Sequence, residues 1–151
     1  MANDTYPVAS FAFYLELDST IKGSFREISG MGSEHELIEF KESGPGGQFV
    51  VRKVPGRMKW GDITLKRGIT DNMDIWQWRQ KVEEGKLNEA GTRMNGSIVM
   101  YDQSDASREI ARWDFVKAWP SKITGPTFNA QNNEIGIEEL VIVHEGLKRT
   151  K

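Results

Sequence analysis

The residues able to do chemistry in this 151-residue chain are few, and their spacing argues against a reaction. There is no cysteine, which removes disulfides, thiolate metal sites and cysteine nucleophiles together. The two histidines, His35 and His144, lie far apart, and neither belongs to a His-x-x-x-His or Cys/His cluster of the kind that converges on a metal. Gly44-Pro45-Gly46-Gly47 is glycine-rich, but Gln48-Phe49-Val50 follows where a phosphate cradle needs Gly-Lys-Ser/Thr opening a helix. Glu34, Glu36, Glu39 and Glu42 form an acidic cluster beside Lys41. Paired carboxylates serve acid–base catalysis when their surroundings split their pKa values, whereas alternating glutamates on a strand more commonly make a solvated face. The serines include no Gly-x-Ser-x-Gly elbow. No catalytic residue, metal ligand or cofactor site is therefore expected.

The elements that carry these residues read as strands. In residues 10–18 (SFAFYLELD), Phe11, Phe13, Leu15 and Leu17 share one parity and Tyr14 and Glu16 the other, the period of a strand with one buried face. A second strand runs over 21–31, with Gly30 and Gly32 around Met31 suggesting a bend. Residues 34–40 alternate weakly. A strand at 63–67 closes on Gly68, and short strands are expected at 97–101 and at 109–119, the latter stopped by Pro120. Residues 135–144 are apolar on both parities, which calls for a central or covered strand. The one convincing helix spans 71–84, capped by Thr70 or Asp71 and ended by Gly85, with Ile75, Trp78 and Val82 on one face.

Residues 41–59 are unusual. Four of the seven residues from Glu42 to Gln48 are glycine or proline, yet Phe49-Val50-Val51 is apolar. An excursion longer than about 15 residues in a compact domain is usually functional or ordered by a partner. Of the five tryptophans, Trp60, Trp113, Trp119 and Trp78 are expected in or near the core. Trp76 is two residues from Trp78 on the same helix and should point away from the barrel, which calls for cover from a partner surface or from loops of the same chain. About seven strands and one helix in a chain of this length imply one domain, an antiparallel β-barrel or split barrel with a flanking helix.

Composition sets the remaining bounds. The hydrophobic share of 38% is that of a globular chain, and the net charge of −2 arises from mixed charges without a basic block, so nothing calls for tightly bound nucleic acid. No apolar run approaches the roughly 18 residues of a membrane span. Residues 1–7 are polar and read as a flexible arm without signal-peptide order. A monomeric small-ligand-binding β-barrel is the competing reading. It requires a single-chain closed barrel and an apolar cavity.

Four blocks in fixed order carry a family resemblance. They are SFAFYLELD at 10–18, GSFREISGM at 23–31, WGDITLKRGIT at 60–70, and RWDFVKAWPSKITGP at 112–126 leading into NEIGIEELVIVHEGL at 133–147. Together they resemble the contractile phage tail tube proteins and the inner tube proteins of phage-tail-like extracellular contractile injection systems. That fold is shared with the hemolysin-coregulated tube protein of type VI secretion. The resemblance implies a single tail-tube domain over 1–151, built of two packed sheets as a split barrel with one flanking helix. It implies no enzyme, but a subunit whose hexameric rings stack into a hollow tube, driven through a target envelope by a contractile sheath. The implied partners are further copies of the chain, the sheath, a baseplate or spike hub, tape-measure or terminal cap proteins, and cargo in the lumen, either protein effector or phage DNA. Such a protein assembles in the bacterial cytoplasm without a membrane anchor and becomes part of a virion or injection particle. The long excursion at 41–59 becomes an inter-subunit loop, with Phe49, Val50 and Val51 as its apolar part and Trp60 and Trp76 as further interface candidates. Gln77, Gln80, Lys81 and Glu84 on the helix are the candidates to meet the sheath.

Overall fold

The computed structural model describes residues 12–18, 20–102, 108–128, 130–131 and 136–151. The expected arm at 1–7, Phe11, residues 103–105 of an expected turn and residues 133–135 lie outside the described residues. The elements in chain order are β1 (Ala12–Leu17), β2 (Thr20–Phe25), β3 (Glu27–Ser29), β4 (Ser33–Ser43), β5 (Phe49–Trp60), β6 (Ile63–Gly68), α1 (Asp74–Glu83), β7 (Met94–Tyr101), β8 (Glu109–Thr124), β9 (Ile137–Val143) and β10 (Gly146–Arg149). The fold is mainly β with one helix, as expected.

Antiparallel pairing joins β2, β1, β7, β8 and β10 into a first sheet and β8, β9, β6 and β3 into a second. β8 belongs to both, because this 16-residue strand bends as it passes from one sheet to the other. The bend falls at Lys117, whose φ of 49° turns the backbone left-handed and whose N–H donates to Asn95 Oδ1 at 3.0 Å. Pro120 does not stop the strand, contrary to expectation. It sits beside a bulge opposite Ile142, where a missing ladder N–H costs little, and the strand continues to Thr124. The β2–β3 run is split in the same manner: β2 pairs β1, while β3 pairs β6.

The core lies between the sheets. Leu15 sits opposite Ile98 on β7, and Leu65 opposite Leu140 on β9, all fully buried with Phe115 and Ile142. β9 lies between β8 and β6, the central place its two apolar parities called for. These side chains fill the interior, so the small-ligand barrel with its apolar cavity does not describe this fold.

The helix is shorter than the expected 71–84. Neither Thr70 nor Asp71 caps it. Asn72 Oδ1 accepts the N–H of Asp74 at 2.8 Å, and Thr70 Oγ1 accepts that of Asn72 at 3.3 Å, so the preceding residues form a polar turn instead of a helical one. Ile75 and Trp78 are buried against the sheets, with the Trp78 indole N–H donating to Thr92 O at 2.6 Å.

Candidate assembly surface

Residues 33–60 form one long hairpin. The expected excursion at 41–59 is thus larger than it looked and regular: β4 and β5 pair with each other over almost their whole length, from Ser33 opposite Trp60 to Ser43 opposite Phe49. The tip is made by the Pro45–Gly47 3-10 turn, where Gly46 and Gly47 adopt φ of 83° and 79°, a conformation that excludes most side chains. Gly44 N–H closes the turn on Gln48 O.

This hairpin is exposed on both faces. Every residue of β4 is exposed, and of β5 only Gly56 and Trp60 are not. Ile38 faces Val54 across the ladder, with Phe40 and Val50 further along the same face, while Leu37, Val51 and Phe49 share the other. Phe49, at the tip, is 74% exposed. A two-stranded sheet with nothing on either face is marginal in water, so these apolar side chains are suited to burial against something outside the subunit. The acidic cluster is resolved within the hairpin itself. Glu42 pairs with Arg52 at 2.8 Å, Glu36 with Lys59 at 3.4 Å and Glu39 with Lys53 at 3.9 Å. Each pair is more than half exposed. Such pairs fix register more than they stabilise.

The root of the hairpin is built more tightly. Gly30 has a φ of 84°, and a Cβ there would lie 2.0 Å from Asp62 O. Gly61 N–H donates to Gly32 O at 2.9 Å, and His144 Nε2 donates to Gly61 O at 3.1 Å. The His144 ring stands 5.7 Å from that of Trp60 and 6.4 Å from that of Phe115. Burial lowers its pKa, so the ring is held neutral. An open cleft of about 420 Å³ beside this root is lined by Met31, Ser33, Lys59 and Trp60. Trp60 is therefore half-buried at the base of the hairpin. His35, by contrast, is exposed on β4.

Trp76 is not turned away from the body. It is half-buried against the core, and its indole N–H donates to Glu138 Oε1 at 3.0 Å. The helix lies in the angle between β2 and β8, so both of its tryptophan-bearing flanks meet the subunit. Glu138 also accepts from Arg67 Nε at 3.1 Å, directly opposite it across the β6–β9 ladder. Arg67 donates further to Asn72 O at 3.0 Å and stands 5.5 Å from the Phe25 ring centroid. Both charged residues are buried. Sequence reasoning missed this pair, although its signal was present: each is a charged residue on the buried parity of its strand, 63-65-67 and 138-140-142.

Gln77, Gln80, Lys81 and Glu84 are all exposed on α1 or at its end. Gln80 donates to Glu84 at 3.2 Å, and Lys86 beside Glu84 lowers the pKa of that carboxyl. On the outward face of β1, β7 and β8, Arg112 stands among the carboxylates Glu16, Glu109 and Asp114. Arg112 bonds Glu16 at 2.8 Å and also Glu109, whose carboxyl it holds below the ordinary range. Among the described residues, no three potential ligands converge on a metal position, and no helix is long and apolar enough to cross a membrane.

A filled double-sheet body carries a long, exposed two-stranded hairpin, and sequence comparison decides the family. The model for the T4-like virus tail tube protein gp19 matches residues 9–148. The chain belongs to that tail tube family. It is a structural tube subunit and not an enzyme. No curated protein sequence matches. Among solved structures, the chain is similar to the anti-feeding prophage tube terminating cap, at a TM-score of 0.78 and 20% identity over 100% of this chain and 95% of that one. The sheath-tube complex of the extracellular contractile injection system PVC, in its extended state, gives 0.76 and 20% over 97% and 93%. Hcp1 from Flavobacterium johnsoniae gives 0.53 and 14% over 92% and 94%, so the fold is shared with that branch at a greater distance.

Proposed function

We propose that this tail tube protein is the repeating unit of a rigid inner tube: six copies close a ring, rings stack, and a contractile sheath surrounds the stack. A baseplate or spike hub starts the tube, and a cap or tape-measure protein ends it. Protein effector or phage DNA passes through the lumen when the sheath contracts and drives the tube through a target envelope. The particle assembles in the bacterial cytoplasm and is released as a virion or an injection particle. The sheath-tube and tube-cap relatives support these partners. The polar helix surface of Gln77, Gln80, Lys81 and Glu84 is the surface offered to the sheath.

The observation that carries this reading is the hairpin with two apolar faces and no cover. A subunit that contacts its neighbours head to tail, through two unlike surfaces, polymerises, and closure about an axis gives rings. Phe49, Val50 and Val51 are its inter-subunit anchors, with Trp60 fixing its base. Trp76 acts inside the subunit, on Glu138. The test is Val50→Asp. A charge placed amid a buried apolar contact should abolish tubes in electron micrographs while the circular dichroism spectrum and melting of the subunit stay as in the wild type. Tubes of normal length from this variant would overturn the role of the hairpin.

A further inference from the structure

The self-assembly reading leaves open what receives the hairpin. Among the described residues, the large exposed apolar side chains sort into two places, with Val116 alone elsewhere. One place is the hairpin. The other is formed by Ile69, Met73, Phe128 and Ile137, of which Phe128 is 71% exposed. This second group lies around the end of β6, where Arg67 donates to the carbonyl of Asn72, next to Met73. Ile69 N–H donates to Gly136 O at 3.0 Å, next to Ile137, and a Cβ on Gly136 would lie 3.2 Å from the Phe128 ring.

The two places lie at opposite ends of the second sheet. The hairpin leaves the end where Ile63 pairs with Ile142, and the patch crowns the end where Gly68 pairs with Ile137. Six residues of β6 separate them, about 20 Å of strand. The eleven residues of β4 reach about 35 Å. Resting on the self-assembly reading, we infer that the patch of Ile69, Met73, Phe128 and Ile137 is the receiving surface for the hairpin of a second copy. The contact repeats along the strand direction and so sets the axial stacking of the tube.

Extent supports a second copy as the occupant. Large apolar side chains are exposed along the whole hairpin, from Leu37 and Ile38 to Phe49 at the tip. Placement supports it too. Two unlike apolar surfaces at opposite ends of one body satisfy each other only between copies, and their contact does not close on itself.

The test uses two exposed positions, Val50→Asp on the hairpin and Phe128→Asp on the patch, each checked for a wild-type melting curve. Each variant alone should give no tubes in electron micrographs or sedimentation. An equimolar mixture should give particles two layers thick and no longer. The intact hairpin of the Phe128→Asp copy fits the intact patch of the Val50→Asp copy, and the other two surfaces are dead. Phe128→Asp tubes of normal length, or a mixture that never forms two-layer particles, would overturn the receiving surface while leaving tube assembly standing on the wild-type control. Wild-type protein that forms neither rings nor tubes would instead overturn the self-assembly reading beneath it.

Discussion

The body and the hairpin of this subunit are both antiparallel β-structure made from one chain, yet they obey different rules. In the body each strand buries one parity: Leu15 and Leu17 on β1, Ile63 and Leu65 on β6, Leu140 and Ile142 on β9. In the hairpin both parities carry apolar side chains and both are exposed. The body buries its apolar side chains; the hairpin leaves its own exposed. A large apolar side chain therefore means opposite things in the two places, and substitution should separate them.

The largest expected effect is in the body. Phe115 is buried in the core opposite Gly96 and 6.4 Å from the His144 ring. Phe115→Ala should cost about 3–5 kcal/mol by urea unfolding. Phe49→Ala, at the exposed tip, should change subunit stability by no more than about 0.5 kcal/mol, while shortening or abolishing tubes. Equal losses at both sites would erase the distinction between body and hairpin.

A second, comparable effect comes from the buried Arg67–Glu138 pair. Arg67→Met alone strands a buried carboxylate and should cost about 3–5 kcal/mol. Adding Glu138→Leu should return most of that loss, because an ion pair replaced by apolar groups of similar volume is often neutral. The part not recovered belongs to Trp76, left without its acceptor. A double variant no more stable than the single one would mean the pair acts through geometry, by holding α1 to the sheet through Asn72.

The same contrast explains what the sequence revealed. Strands with one buried parity were legible in outline, because period two against a core is a strong local signal. So was the double-sided β9, with Glu138, Leu140 and Ile142 inward and half-buried Val141 and Val143 outward. Of the hairpin, residues 34–40 showed only a weak alternation and 41–59 looked like a long excursion with some extended structure. The hairpin's alternation has no polar face to contrast with an apolar one, since both faces carry apolar side chains. Glu36, Ile38 and Phe40 on one face make no period readable from a single chain. Pro120 looked like an end because the rule against proline in strands ignores the bulge that excuses it. The orientation of Trp76 depended on Glu138, 62 residues away, which no helical spacing reports.

A smaller effect should appear at the junction of the two regions. His144 is held neutral by burial at the hairpin root, with Nε2–H on Gly61 O. Asp62 is the nearby charge that favours the protonated ring, and it does not offset burial. The folded-state pKa lies below the unfolded value of about 6.5, so between the two the unfolded chain binds a proton the folded chain does not. Stability from this group is fully present above about 6.5 and is lost as the pH falls through the folded value. Thermal melts between about pH 5 and 8 should show that loss in the wild type and not in His144→Phe. The same pH dependence in both proteins would place the titrating group elsewhere.

The smallest effect in the isolated subunit should come from the hairpin's own ion pairs, and there the comparison is sharpest. Glu42 and Arg52 meet at 2.8 Å with both side chains more than half exposed, so Glu42→Gln should change subunit stability by less than about 1 kcal/mol. Covering the hairpin changes that balance. Once a neighbouring copy excludes water from Ile38, Phe40 and Val50, the pair on the same face is partly desolvated, and removing the carboxylate leaves the Arg52 guanidinium buried without its partner. Glu42→Gln should then melt like the wild type as a subunit but give tubes that dissociate at lower denaturant concentration. If subunit and tube respond by the same small amount, this face of the hairpin stays wet in the tube. The contact with the neighbour must then run through the opposite face, where Leu37, Val51 and Phe49 lie.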